Sequence, residues 1–141
     1  MALGSWFSVP KRRGTCLPLR HMPRDHRQLR VFIQADELVL RVYHATRGLP
    51  VEERFGLQAQ IRRAAVSAAS NLVEGSARSS EKAYRQFVSI SFGSAAETQY
   101  LFSVVRRLTL LPVAECERLE KDYENLLKGL NKLLASIGKF E

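Results

Sequence analysis

Cysteine is nearly absent: the 141-residue chain has only Cys16 and Cys116, a hundred positions apart. Two thiols so placed make no disulfide framework and are too few for a structural zinc site, which fits a reducing cytoplasm. Histidine is scarce too. His21, His26 and His44 show no HxxxH or ExxH spacing, and a carboxylate-bridged metal centre in a helical bundle needs paired ExxH motifs on facing helices. Neither a GxxxxGKS or GxxxxGKT loop nor GxGxxG occurs, so nucleotide hydrolysis and dinucleotide redox chemistry have no phosphate cradle. No GxSxG elbow exposes a serine. Cys116 stands in an apolar helical stripe, where a thiol packs as a small hydrophobe. No enzyme and no cofactor is expected. Apolar runs fall short of the roughly 18 residues that cross a bilayer, because Arg, Glu or Gln interrupts the longest of them. Strand signals are equally thin: there is no Asn-Gly or Asp-Gly turn, and Val104 and Val105 fall inside a helical period.

What the chain does have is positive charge, 22 Lys and Arg against 14 Asp and Glu, a net +8. Apolar residues at 45% and charged ones at 26% are the proportions of a soluble single domain with a sizeable core. The charge is uneven. Residues 1–30 carry Lys11, Arg12, Arg13, Arg20, Arg24, Arg27 and Arg30 against Asp25, a net +6, and the rest of the chain stands at +2. With Pro10, Pro18 and Pro23 and no regular period, residues 1–28 read as a disordered basic arm. Its apolar patch, Leu3 to Val9, precedes the basic cluster, the reverse of a secretory signal. An organelle transit peptide is compatible with the composition. Two other readings stay open, an arm that binds nucleic acid and an extension upstream of a start at Met22.

Residues 29–141 read as one all-α domain, an antiparallel up-down four-helix bundle with short loops. Val31, Ala35, Leu38, Val42 and Ala45 form the stripe of a first helix that ends near Arg47 and Gly48, the glycine permitting a left-handed turn. Pro50 opens a second helix with Glu52 and Glu53 in its first turn, followed by Leu57, Ile61, Ala64, Ala65, Ala68 and Leu72. Gly75 and the polar run Ser76 to Ser80 break it, and Ser79 or Ser80 caps a third. Two heptad series predict that helix's seam: Phe87, Ser94, Leu101, Leu108, and Ile90, Glu97, Val104, Leu111. Pro112 opens a fourth helix with the regular stripe Cys116, Leu119, Tyr123, Leu126, Leu130, Leu133, Ile137, ended by Gly138.

Several polar residues do not suit an ordinary bundle face. Arg62 and Arg63 lie in the most apolar, small-residue stretch of the second helix, with Asn71 and Glu74 beyond them. A charge in such surroundings needs a partner, and Glu97 on the expected seam is the candidate. Adjacent arginines stand about 100° apart on a helix, so one carboxylate does not serve both. The other is left for a phosphate or a partner chain. Arg78, Lys82 and Arg85, spaced four and three, are expected on one face at the start of the third helix, and Arg106 and Arg107 lie near its other end. Such groups suit phosphate contacts, and they equally suit a solvated face.

The stretch from Leu29 to about Leu111 resembles the bacterial four-helix-bundle proteins encoded within intervening sequences of large-subunit ribosomal RNA genes. The resemblance is carried by Val42-Tyr43 with Thr46, Leu49-Pro50, Glu53-Arg54-Phe55-Gly56-Leu57 and Gln60-Ile61-Arg62-Arg63-Ala64-Ala65-Val66-Ser67. It continues in Ser70-Asn71, Glu74-Gly75, Phe87, Gly93-Ser94 and Glu97. Ala68-Ala69 depart from it, standing where the family has an apolar residue and then proline, so a kink in the second helix is expected to be weaker here. The resemblance implies a ring-like homopentamer without enzymatic activity. It also implies kinship with the accessory variability determinant of diversity-generating retroelements, a similar pentamer that binds a reverse transcriptase and nucleic acid. The expected function is a non-enzymatic, cytoplasmic homo-oligomer that binds RNA or a ribonucleoprotein, with Arg62, Arg63, Arg78, Lys82, Arg85, Arg106 and Arg107 as phosphate contacts. Arg62, Asn71, Glu74 and Glu97 are the polar set that holds fold or assembly. The alternative is a scaffold for protein partners, such as a reverse transcriptase, in which the arginines are all structural.

Overall fold

In the computed structural model the described residues are 24–138. The arm as far as residue 23 lies outside them, as do residues 139–141. Four helices follow one another: α1 (Arg30–Thr46), α2 (Leu57–Ser76), α3 (Glu81–Arg107) and α4 (Val113–Ser136). Each packs on its neighbours in the order α1, α2, α3, α4 and back to α1, and the diagonal pairs do not meet. The connections are short, so successive helices run antiparallel. Arg85 at the start of α3 accordingly reaches the Leu134 carbonyl in the last turns of α4, 2.7 Å away. Among the described residues no strand forms, and no helix is long and apolar enough to cross a membrane.

The stripes of α1, α2 and α4 are buried as their spacing predicts, with Leu57 and Leu133 only half-buried. Cys116 is enclosed in this core, and burial pushes its thiol pKa up, as suits a packing residue. α2 runs unbroken through Ala68 and Ala69, both buried. Small side chains there let α3 come close: Ser91 donates to the Ala68 carbonyl, the Ser67 and Ser94 hydroxyls share a 2.8 Å hydrogen bond, and Gly75 faces Phe87.

Four expectations need correction. The core face of α3 is Tyr84, Val88, Ser91, Ala95, Thr98, Phe102 and Val105, with Leu101 at its margin. Of the predicted seam only Leu101 and Leu111 are buried; Phe87, Ser94 and Val104 are half-buried, and Ile90, Glu97 and Leu108 are exposed. α2 does not begin at Pro50: Val51–Glu53 form a 3-10 turn, Gly56 leaves the helical region at φ −99°, ψ −111°, and the Glu53 carboxylate accepts from the Leu57 amide at 3.1 Å. Gly48 does not adopt a left-handed conformation. Its lack of a side chain makes room for Leu111, whose Cδ2 stands 3.0 Å from where a Cβ would be. Finally, Arg24 to Gln28, assigned to the arm by composition, are packed on the bundle. The Arg24 amide donates to the Ser76 carbonyl, its guanidinium lies over the Tyr84 ring, and Asp25 caps a 3-10 turn at His26–Gln28.

Candidate functional site

The connection between α1 and α2 and the first half of α2 border a groove of about 1100 Å³. Arg47, Arg54, Arg62 and Arg63 line it together with Tyr43, Val51, Phe55 and Val66, and Ser67 and Ser70 close one end. No carboxylate and no histidine is among its lining residues. Phe55, at the tip of the connection, is 87% exposed and Val51 75%, the two most exposed large apolar side chains among the described residues.

The two neighbouring arginines of α2 have different tasks. Arg62 turns towards α1, and the expected pair with Glu97 does not form. Its Nε donates to the buried Thr46 hydroxyl at 2.9 Å, its Nη2 to the Tyr43 carbonyl at 3.2 Å, and the guanidinium lies 4.5 Å from the centroid of the Tyr43 ring. The Thr46 hydroxyl in turn donates to the Val42 carbonyl at 2.7 Å. Arg62 thus neutralises the negative end of α1, where orphan carbonyls collect. Glu97 lies exposed on α3 and accepts from Gln60 at 3.2 Å. Arg63 is exposed and makes no hydrogen bond or ion pair among the described residues, and the same holds for the side chains of Arg47 and Arg54. Arg54 lies 5.5 Å from the centroid of Phe55.

The other expected contacts are dispersed and mostly engaged. Arg78 lies in the connection after α2, ion-paired with Glu74 at 3.0 Å and over the Phe87 ring. It therefore shares no helix face with Lys82, which is exposed, or with Arg85, which caps α4. Arg106 makes a two-pronged bond to Glu120 at 2.8 and 3.2 Å, which raises its pKa further above the usual range. Arg107 folds back onto the Ser103 carbonyl. Asn71 donates to Ser67, bracing the link to Ser94 on α3, and so serves the α2–α3 packing. No group of three or more His, Cys, Asp or Glu is placed to hold a metal among the described residues.

The sequence profile of a family described as 23S rRNA-intervening sequence protein matches residues 27–132, most of the chain. The chain belongs to this family. Its members' fold is also seen in a crystal structure of a protein of unknown function from the S23 ribosomal protein family of Bacteroides thetaiotaomicron. The two share 21% identity at a TM-score of 0.70, over 75% of this chain and 99% of that one, which establishes the common bundle. No curated protein matches the chain. Arg62, Arg63, Thr46, Asn71 and Gly75 thus sit within the family match, in the roles just described. Arg47, Arg54 and Phe55 of the groove were missed as site residues by sequence reasoning. An aromatic ring beside an arginine in a loop, off every helical stripe, was the available signal.

Proposed function

We propose that the protein acts by binding RNA through this groove, without catalysis, as a homo-oligomer. One observation carries the reading: four arginines converge on one surface from which carboxylates are missing, while most other arginines of the bundle are committed to carbonyls or acids. Phosphate oxygens are the ligands such a surface suits, and the Arg fork matches their geometry. Arg47, Arg54 and Arg63 supply the contacts, Arg62 holds the wall, and Lys82 adds an exposed charge at a distance. Assembly into a ring, five copies by family resemblance, would repeat the groove and raise avidity without new contacts.

Binding of structured RNA by the purified chain should weaken steeply between about 50 and 200 mM salt, as counterion release requires. Arg63→Ala should lower affinity and flatten that salt slope by about one phosphate. Removing residues 1–21, with Lys11, Arg12, Arg13 and Arg20, would leave a net +4, and binding should persist. Light scattering on the same samples reads the assembly. A second reading rests on the exposure of Val51 and Phe55: the groove seats a protein partner such as a reverse transcriptase. Binding of RNA that is absent even at low salt would favour it and end the first.

A further inference from the structure

The geometry points to the class of RNA that the groove takes: an unpaired strand, one base of which stacks on Phe55 while its flanking phosphates lie on Arg63 and Arg47. This rests on the RNA-binding reading and adds what that reading leaves open. A helix of RNA would need only spread charge. The α1–α2 connection offers charge and, in addition, a ring standing almost entirely in solvent.

Three features place that ring. Gly56 turns the chain out of the helical region, so α2 starts only at Leu57 and Phe55 stays at the tip of the connection instead of joining the stripe that begins there. Glu53 is turned onto the Leu57 amide and does not line the groove, so its carboxylate is engaged in holding the connection. Gly56 must remain small for this, since a Cβ there would stand 2.8 Å from Glu53 Oε2. Arg54 lies over one face of the Phe55 ring, 5.5 Å from its centroid, leaving the other face for a base while its guanidinium can meet a phosphate. The other ring in the groove, Tyr43, already carries Arg62 on its face. Phe55, 87% exposed against 41% for Tyr43, is the more open platform of the two. Arginines alternating with an exposed ring are what single strands use, because every base has a π-face and the backbone tracks the charge.

The test uses the full-length protein with a short labelled single-stranded RNA, the same RNA annealed to its complement, and the variants Phe55→Leu, Phe55→Trp and Arg63→Ala. Phe55 is solvent-exposed, so thermal melts of its variants should match the parent. The single strand is expected to bind more tightly than the duplex. Phe55→Leu should weaken the single strand by about 5- to 150-fold, the worth of one base–aromatic stack, and leave the duplex unchanged, while Phe55→Trp retains binding. 2-Aminopurine in the strand should be quenched by the parent and not by Phe55→Leu. If Phe55→Leu leaves single-strand affinity unchanged while Arg63→Ala still weakens it, the stack is wrong and the phosphate reading stands. If no variant changes a binding that is itself independent of salt, both fall. A change of oligomer mass in Phe55→Leu with unaltered RNA affinity assigns the ring to contacts between copies and overturns the proposal.

Discussion

Arg62 closes the last turn of α1 from the neighbouring helix, its guanidinium over the Tyr43 ring and bonded to both the Tyr43 carbonyl and the Thr46 hydroxyl. Two charge-assisted hydrogen bonds and a stacked ring, partly shielded from water, are worth about 2 kcal/mol together. Arg62→Ala should lower stability by that amount in urea unfolding, and Arg62→Lys should recover little, because an ammonium cannot reproduce the planar fork. Arg63→Ala one position on should change stability by less than about 0.5 kcal/mol, as expected for a surface side chain. Equal losses from both would mean that Arg63 too is structural.

The sequence made α1 and α4 legible because each buries a single apolar stripe whose spacing survives in the letters. α3 defeated the same reasoning for a physical reason. Its core face includes Ser91 and Thr98, which enter the interior because backbone carbonyls, those of Ala68 and Ser94, accept their protons. Hydroxyls so satisfied look like a solvent face in a hydropathy pattern, while the exposed Ile90 and Leu108 look like core. The partner of Arg62 was illegible too: carbonyls at a helix end have no side-chain signature, and a carboxylate such as Glu97 attracts the eye. The groove depends on where the ten-residue connection between α1 and α2 carries Phe55 and Arg54, which periodicity does not address.

Gly75 is a point of close approach between α2 and α3. A Cβ there would stand 2.8 Å from Phe87 Cβ and 3.4 Å from the Tyr84 ring. Phe87 Cβ sits directly on its backbone and cannot swing aside, so the helices must part. Gly75→Ala gains about 1 kcal/mol in helix propensity and loses about 1–3 kcal/mol to overpacking. Net destabilisation is expected in thermal melts, and Phe87→Gly in the Gly75→Ala background, which removes the opposing Cβ, should relieve part of the clash. A more stable Gly75→Ala would show that the packing yields freely.

Thr109 ends α3 in the left-handed region at φ 53°, the only residue other than glycine with positive φ among those described. Hydrogen bonds from Leu110 to Val105 and from Thr109 to Arg106 close the turn as a Schellman motif. A β-branched residue is strained at this position, by about 1–2 kcal/mol. Thr109→Gly relieves it at an entropic cost of about 0.5–1 kcal/mol, so a gain of roughly half to 1 kcal/mol is expected. Urea midpoints read it directly, and unchanged RNA affinity should accompany the gain, since Thr109 does not line the groove.

Tyr123 lies in the core at 1% exposure, and its hydroxyl has no hydrogen-bond partner among the described residues. Burial holds its pKa well above the usual tyrosine value of 10.0, and burial raises that of Tyr84 in the same direction. In the folded protein Tyr123 keeps its proton at a pH where the unfolded chain releases it. Above about pH 10 the unfolded state therefore binds fewer protons than the folded one, and stability falls as pH rises, by about 1.4 kcal/mol per pH unit for such a group. Below that range the contribution is constant. Tyr123→Phe should be neutral or slightly stabilising at pH 7, because it deletes an unsatisfied buried hydroxyl while keeping the ring. The same variant should flatten the alkaline decline measured by urea unfolding between about pH 9 and 11, leaving the part that Tyr84 contributes. A loss of more than about 1 kcal/mol at neutral pH would instead reveal that the Tyr123 hydroxyl is bonded in solution.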